Sequence, residues 1–165
     1  MKVVPFSSQY ESEIVDLIVS IQRGEFGIDI TAEHQPDLLS IPSFYQTASG
    51  NFWIAVVEDH VVGTISLLDI GADQAALRKM FVHPDFRGPG RGTARRLLQT
   101  LLAWAENRDV REIFLGTTPF FRAAHRFYEK HGFSEIRKSQ LPASFPIMEV
   151  DTRFYCFQLP KRAAP

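Results

Sequence analysis

The sequence predicts an α+β domain built around a mixed sheet, on three observations. Two β-branched and aromatic runs, residues 51–58 and 61–68, are separated only by Asp59-His60, as in an antiparallel hairpin. Leu97, Leu98, Leu101, Leu102 and Ala105 fall on one face of a helix ending near Asn107. No repeat, low-complexity tract or linker divides the 165 residues, a length one domain accommodates, so residues 1–165 are expected to form a single domain.

The other elements follow in chain order. Ser8-Gln9-Tyr10-Glu11 reads as a capping box, and Ile14, Leu17, Ile18 and Ile21 then recur at helical spacing, giving a first helix that ends before Gly24. Residues 24–35 lack a period. Pro36 opens a short helix over residues 36–41, which Pro42 stops. After the hairpin, residues 75–82 form a third strand. A glycine-rich basic loop leads into the leucine helix, and residues 112–116 make a short strand. Residues 119–131 form a last helix with Phe120, Phe121, Ala124, Phe127 and Tyr128 inward, stopped by Gly132 at the C′ position. Two final strands, 133–137 and 152–159, flank a proline-containing loop, 141–146.

Composition bounds the function. With 18 Lys plus Arg against 19 Asp plus Glu, the net charge is −1, and the clustered positive excess that nucleic-acid binding needs is missing. At 45% hydrophobic and 22% charged residues, the chain can bury a proper core. The single cysteine, Cys156, excludes an intramolecular disulfide and a thiolate metal site, and a reducing cytoplasm is the expected location. Residues 1–10 turn polar too early for a secretory segment. No apolar run approaches the roughly 20 residues of a spanning helix, so no membrane association is expected.

The loop after the third strand carries chemistry. Residues 80–98 run from Met80-Phe81-Val82 through three glycines within five positions, Gly88, Gly90 and Gly92, and two arginines, Arg87 and Arg91, into a helix. Glycines let the backbone approach oxygen atoms closely, and the amides of a first helical turn point at an anion with the helix dipole behind them. Two arginines add charge-assisted bonds, which suits a diphosphate better than one carboxylate. Neither a P-loop nor the dinucleotide fingerprint fits: Gly92 is followed by Thr93-Ala94 rather than Lys and Ser or Thr, and Arg95 stands where a third glycine is required.

This stretch resembles the pyrophosphate loop of the GNAT superfamily of acyl-CoA N-acyltransferases: Gln or Arg, two residues, Gly, one residue, then Gly or Ala. Arg87-Gly88-Pro89-Gly90-Arg91-Gly92 matches it, preceded by Val82-His83-Pro84. A second register starts the helix at Gly92-Thr93-Ala94, with Leu97-Leu98 three and four residues after Ala94 and residues 88–91 as a lengthened loop. Both registers stand, and residues 87–94 are nominated whole. Downstream, Ala124-His125-Arg126-Phe127-Tyr128-Glu129-Lys130-His131-Gly132-Phe133 is similar to the family's late helix, except that Phe121 replaces a frequent Asn. The resemblance covers about residues 1–140.

The resemblance implies a mostly antiparallel central sheet with helices on both faces and a splayed strand pair that receives the pantetheine arm of acetyl-CoA. The implied cofactor-binding residues are Met80, Phe81, Val82, Arg87, Gly88, Gly90, Arg91, Gly92, Thr93 and Ala94, facing residues 115–117. It implies acetyl transfer to a primary amine of a small molecule or peptide, by direct attack in a ternary complex, with no metal. Tyr128 is the implied general acid for the leaving thiolate. A non-catalytic acyl-CoA sensor is the alternative, and a homodimer is common among similar proteins. The loop holding Glu25 and Phe26 is implied to border the acceptor. The general base stays open among Glu25, His34, Asp69, His83 and a water chain.

Other conspicuous residues have plainer readings. Arg95 and Arg96 read as a solvated helix face before a contact to the 3′-phosphate of CoA. His125 and His131 lie on different faces of their helix, against a metal pair, and His131 suits the helix end. Cys156 reads as a small buried apolar residue, and Phe145, Phe154, Tyr155 and Phe157 as core or dimer contact.

Overall fold

The computed structural model describes residues 1–119 and 121–160. Seven strands form one sheet: β1 (Lys2–Pro5), β2 (Asn51–Val57), β3 (His60–Gly71), β4 (Gln74–Val82), β5 (Glu112–Thr117), β6 (Ser134–Ile136) and β7 (Arg153–Gln158), in the order β1-β2-β3-β4-β5-β7-β6. Every neighbouring pair is antiparallel except β4 with β5. Helices α1 (Glu11–Ser20) and α2 (Ile41–Phe44) lie before the hairpin, α3 (Thr93–Asn107) bridges β4 and β5, and α4 (Arg122–Lys130) follows β5.

Alternation along the strands explains the two-layered core. Phe52, Ile54 and Val56 of β2 pack with Ile14, Leu17, Ile18 and Tyr45 on one face. Trp53 and Ala55 pack with Leu97, Leu98, Leu101 and Tyr128 on the other. A strand covered on both faces has no polar side, so β2 reads as an unbroken apolar run. The hairpin turns on Glu58 and Asp59, both at positive φ (49° and 63°), as a tight two-residue connection requires.

Several expectations are corrected. β1 has no counterpart in the sequence reading; it is a short edge strand whose Pro5 is tolerated because an edge needs fewer ladder donors. The capping box at Ser8 does not form: Ser8–Tyr10 is a 3-10 turn, α1 begins at Glu11, and neither flanking residue caps it with a side chain. The first helix continues past Ser20 as a π-helical turn, Ile21–Glu25. Pro42 does not stop a helix but sits in the first turn of α2, after a separate 3-10 turn Pro36–Leu39; a first-turn residue needs no amide partner. The last helix starts at Arg122 rather than at 119, and Phe120, expected on its inner side, lies outside the described residues. Gly132, at φ 96°, ends α4 as expected.

Candidate active site

The parallel ladder between β4 and β5 lasts only three pairs: Gln74 with Glu112, Ala75 with Ile113 and Ala76 with Phe114. Beyond it β4 stays with β3 as far as Val82, while β5 stays with β7 as far as Thr117. The strands therefore part, leaving inner edges at residues 77–82 and 115–117 whose main-chain groups have no ladder partner on that side. A cavity of about 510 Å³ occupies the gap, lined by Met80, Phe81, Leu115, Gly116, Thr117 and Tyr128 among others.

Part of the parting originates inside β4. Ser66 pairs with Arg78 but Thr64 pairs with Phe81, so β4 carries one extra residue there, with Lys79 at φ 55°. A bulge re-aims side chains as well as bending its strand. Leu77, Met80 and Val82 pack on the α3 face and Phe81 on the α1 face. Arg78 reaches Phe44 of α2, and Lys79 reaches Gln35 and Asp37. Two consecutive cations thus share one face, which regular alternation forbids.

The Lys79 side chain is only 9% exposed and has two partners. Its Nζ donates to Gln35 Oε1 at 2.6 Å and lies 3.6 Å from Asp37 Oδ2. The Tyr45 hydroxyl donates to that same Asp37 oxygen at 2.6 Å, and Gln22 and Gln35 exchange hydrogen bonds of 3.1 and 2.8 Å. Burial pulls the Lys79 ammonium below its ordinary pKa, with Asp37 opposing. None of Gln22, Gln35, Asp37, Arg78 or Lys79 was a candidate from sequence. The available signal was Arg78-Lys79, a charged dipeptide inside the otherwise apolar run of β4.

Tyr128 projects from α4 into the gap. It is 5% exposed, yet its hydroxyl bonds no described residue. Burial pushes its phenol above the ordinary value, so the hydroxyl keeps its proton at neutral pH. Nearby, the Thr118 hydroxyl is buried without a partner. His125 braces this corner: Arg153 Nη1 lies 3.0 Å from Nδ1, and Nε2 lies 2.8 Å from the Thr118 carbonyl. Arginine can only donate, so Nδ1 accepts and Nε2 carries the hydrogen. His131 Nδ1 meets the Phe127 carbonyl at the helix end.

The glycine loop joins β4 to α3. Gly88 (φ 98°) and Gly92 (φ 68°) adopt the left-handed region, and Gly92 is the residue preceding α3. Arg91 and Gly92 amides both bond the Gly88 carbonyl, while the first helical bond runs from Arg96 to Gly92. The amides of Thr93, Ala94 and Arg95 therefore precede the helix's own ladder and stay open to a ligand. Of the two registers, the one that starts the helix at Gly92-Thr93-Ala94 matches this geometry. Arg91 lies over the Phe86 ring. Arg87 is already engaged, donating Nε to the Val82 carbonyl at 2.8 Å and holding both Glu25 oxygens at 2.6 Å. That bidentate pair keeps the Glu25 carboxyl below its ordinary range. Arg96 bonds the Met1 carbonyl.

The remaining candidates scatter. Glu25 and Phe26 do not line the cavity, and Phe26 stacks on Phe121 at 4.1 Å. Of the proposed bases only His34 lines it; Asp69 receives Ser49 and Gly71, and His83 receives the Asp85 amide. Cys156 is buried and its thiol is pushed up to about 11 by burial. Phe145 and Phe154 are core neighbours. Among the described residues no group of three or more His, Cys, Asp or Glu suits a metal, and no helix is long and apolar enough to cross a membrane.

Comparison with known proteins places this geometry. The model of the Acetyltransferase (GNAT) family matches residues 15–133. A GNAT-family acetyltransferase structure from Staphylococcus aureus Mu50 superposes with a TM-score of 0.91 at 35% identity, covering 96% of this chain and 99% of that one. An acetyltransferase structure from Streptococcus agalactiae 2603 also gives 0.91, at 31% identity over 96% and 98% of the two chains. N-acetylaspartate synthetase of Danio rerio is 32% identical over 106 residues, 63% of this chain but 37% of that protein. The chain thus spans little more than a third of the length of that curated relative. On the strength of the family match and the two close structures, the chain belongs to the GNAT acetyltransferase family.

Proposed function

We propose that this protein transfers an acetyl group from acetyl-CoA to a primary amine, with Tyr128 as the general acid. One observation carries the reading: β4 and β5 part after three residue pairs, and an unbonded tyrosine hydroxyl stands in the gap. A sheet edge with unpaired amides and carbonyls accepts an extended amide-bearing chain, which a pantetheine arm is. The open amides of Thr93, Ala94 and Arg95, the turn from Gly88 to Gly92 and the Arg91 guanidinium suit a diphosphate. A structure from Thermoplasma acidophilum solved with coenzyme A has the same fold at a TM-score of 0.71. Some of the curated relatives, the N-acetylaspartate synthetases of Danio rerio and Xenopus tropicalis, are named for an acetylated amino acid, in keeping with an amine acceptor.

When bound, acetyl-CoA supplies an acetyl group activated as a thioester. The chain's own part is to align that arm along the strand edges, exclude water and hold a proton on the Tyr128 oxygen for the departing sulfur. Burial keeps that proton in place at neutral pH, and the hydroxyl has no competing partner. Tyr128→Phe is expected to lower kcat by about 100-fold, the usual scale of a lost acid, with affinity for CoA within about twofold. Thiol release and calorimetry measure the two. Unchanged turnover removes Tyr128 from the chemistry. CoA binding with no acceptor-dependent thiol release identifies a sensor instead.

A further inference from the structure

Arg78 and Asp151 feel each other's charge across the cleft, yet neither is within ion-pair distance of the other or of any other opposite charge among the described residues. The Arg78 guanidinium touches only the Met148 sulfur at 4.0 Å and the Phe44 ring at 5.6 Å, and no carboxylate of the described residues lies within ion-pair distance. Asp151 lies across from it on the β5 side and receives only the Met148 amide at 3.2 Å, with no cation in contact. Both line the cavity that holds Tyr128. Lys79, the other cation of that wall, is already neutralised by Asp37.

The chain is shaped to present these two groups. The extra residue in β4 turns Arg78 to the same face as Lys79, and Lys79 holds a left-handed conformation that a side-chain-bearing residue adopts only when its surroundings enforce it. On the other wall, Gly116 leaves the space that the Asp151 carboxylate fills: a Cβ there would sit 2.5 Å from Asp151 Oδ2. Met148 links the walls, its sulfur against Arg78 and its amide on Asp151. The two charges therefore sit at one end of the cleft without closing on each other.

Building on the transferase reading, we propose that this end of the cleft is the acceptor subsite and that the acceptor is a free α-amino acid, its carboxylate on Arg78 and its nitrogen at Asp151, whose carboxylate receives the incoming ammonium and takes the proton that the nitrogen must lose before it attacks the thioester. A small zwitterion answers both charges at once. A polyamine brings no anion to Arg78, and a peptide's N-terminus has an amide where the carboxylate is needed. Partial burial raises the Asp151 carboxyl above its ordinary range even against the Met148 amide and the Arg78 charge, which pull it down, so a cation brought into contact has more to neutralise.

The test uses the full chain with acetyl-CoA, reading thiol release with the standard L-amino acids, the carboxamide of the best of them, a short peptide and spermidine. An α-amino acid is expected to exceed its carboxamide in kcat/KM by about 100-fold, the range of a charged hydrogen-bonded contact. In Arg78→Met that ratio falls toward one, chiefly through KM, and Arg78→Lys restores part of it. Asp151→Asn raises KM for the amino acid. CoA calorimetry on each variant verifies the fold. Equal use of acid and carboxamide, a ratio unmoved by Arg78→Met, or turnover only with spermidine or peptide overturns the subsite while the transferase stands. Silence across every acceptor overturns both.

Discussion

The bulge inside β4 and the loop that follows it are built by opposite means. After Val82 the chain makes a loop of glycines in which the main chain does the work: Gly88 and Gly92 take left-handed angles at little steric cost, and the first amides of α3 are left open. In the middle of the strand, Lys79 takes the same region with a full side chain, held there by groups from elsewhere, such as Gln35, 44 residues away. The loop is a local solution written in consecutive residues. The bulge is a non-local one, for Asp37, Tyr45 and Gln35 mean nothing until the fold delivers them to Lys79.

The largest test of that contrast is Asp37→Ala. It leaves a buried ammonium without its counter-charge, and loss of one partner of such a pair costs about 3–5 kcal/mol. Urea unfolding measures it, and adding Lys79→Met should recover most of the loss. A cost under about 1 kcal/mol would mean that Lys79 reaches water and that the bulge needs no support from the 3-10 turn Pro36–Leu39. Gly92→Val comes next. A β-branched side chain at φ 68° costs roughly 1–2 kcal/mol of stability, and blocked backbone approach should weaken CoA by about tenfold in calorimetry. Unaltered CoA affinity would show that the loop's grip is not built from its main chain.

The smallest effect belongs to Glu25→Gln, which breaks the exposed pair with Arg87 and costs no more than about 1 kcal/mol. Hydrogen bonding from Arg87 holds the Glu25 carboxyl below its ordinary value of 4.5. The pair's contribution is therefore present above that value and lost as pH falls through the lowered one. Wild type should melt slightly above Glu25→Gln at about pH 7, with the gap closing toward about pH 3. A gap that persists in acid would assign the effect to packing rather than charge.

Legibility in the sequence follows the same division. The hairpin, α3, the glycine loop and the Gly132 stop were readable because periodicity and turn chemistry act over a few residues. The last helix was readable too, with Tyr128 inward. β1 escaped because four edge residues ending in Pro5 carry no strand period, and Pro42 misled because a proline fits the first turn of a helix as well as the end of one. At the site, Met80 and Phe81 line the cavity, whereas Glu25 and Phe26 do not. Arg78, Asp37, Asp151 and Gly116 went unread, since a buried charge is recognisable only beside its partner, and those partners come from distant segments.

Only three rungs join the four-stranded half of the sheet to its three-stranded half. Whatever extended molecule lies in the gap becomes an eighth strand and knits the halves together, so occupancy and stiffness rise as one event. Those amides of residues 77–82 and 115–117 that point into the gap, rather than to β3 or β7, should exchange deuterium quickly in the free protein and slowly once that strand is laid in.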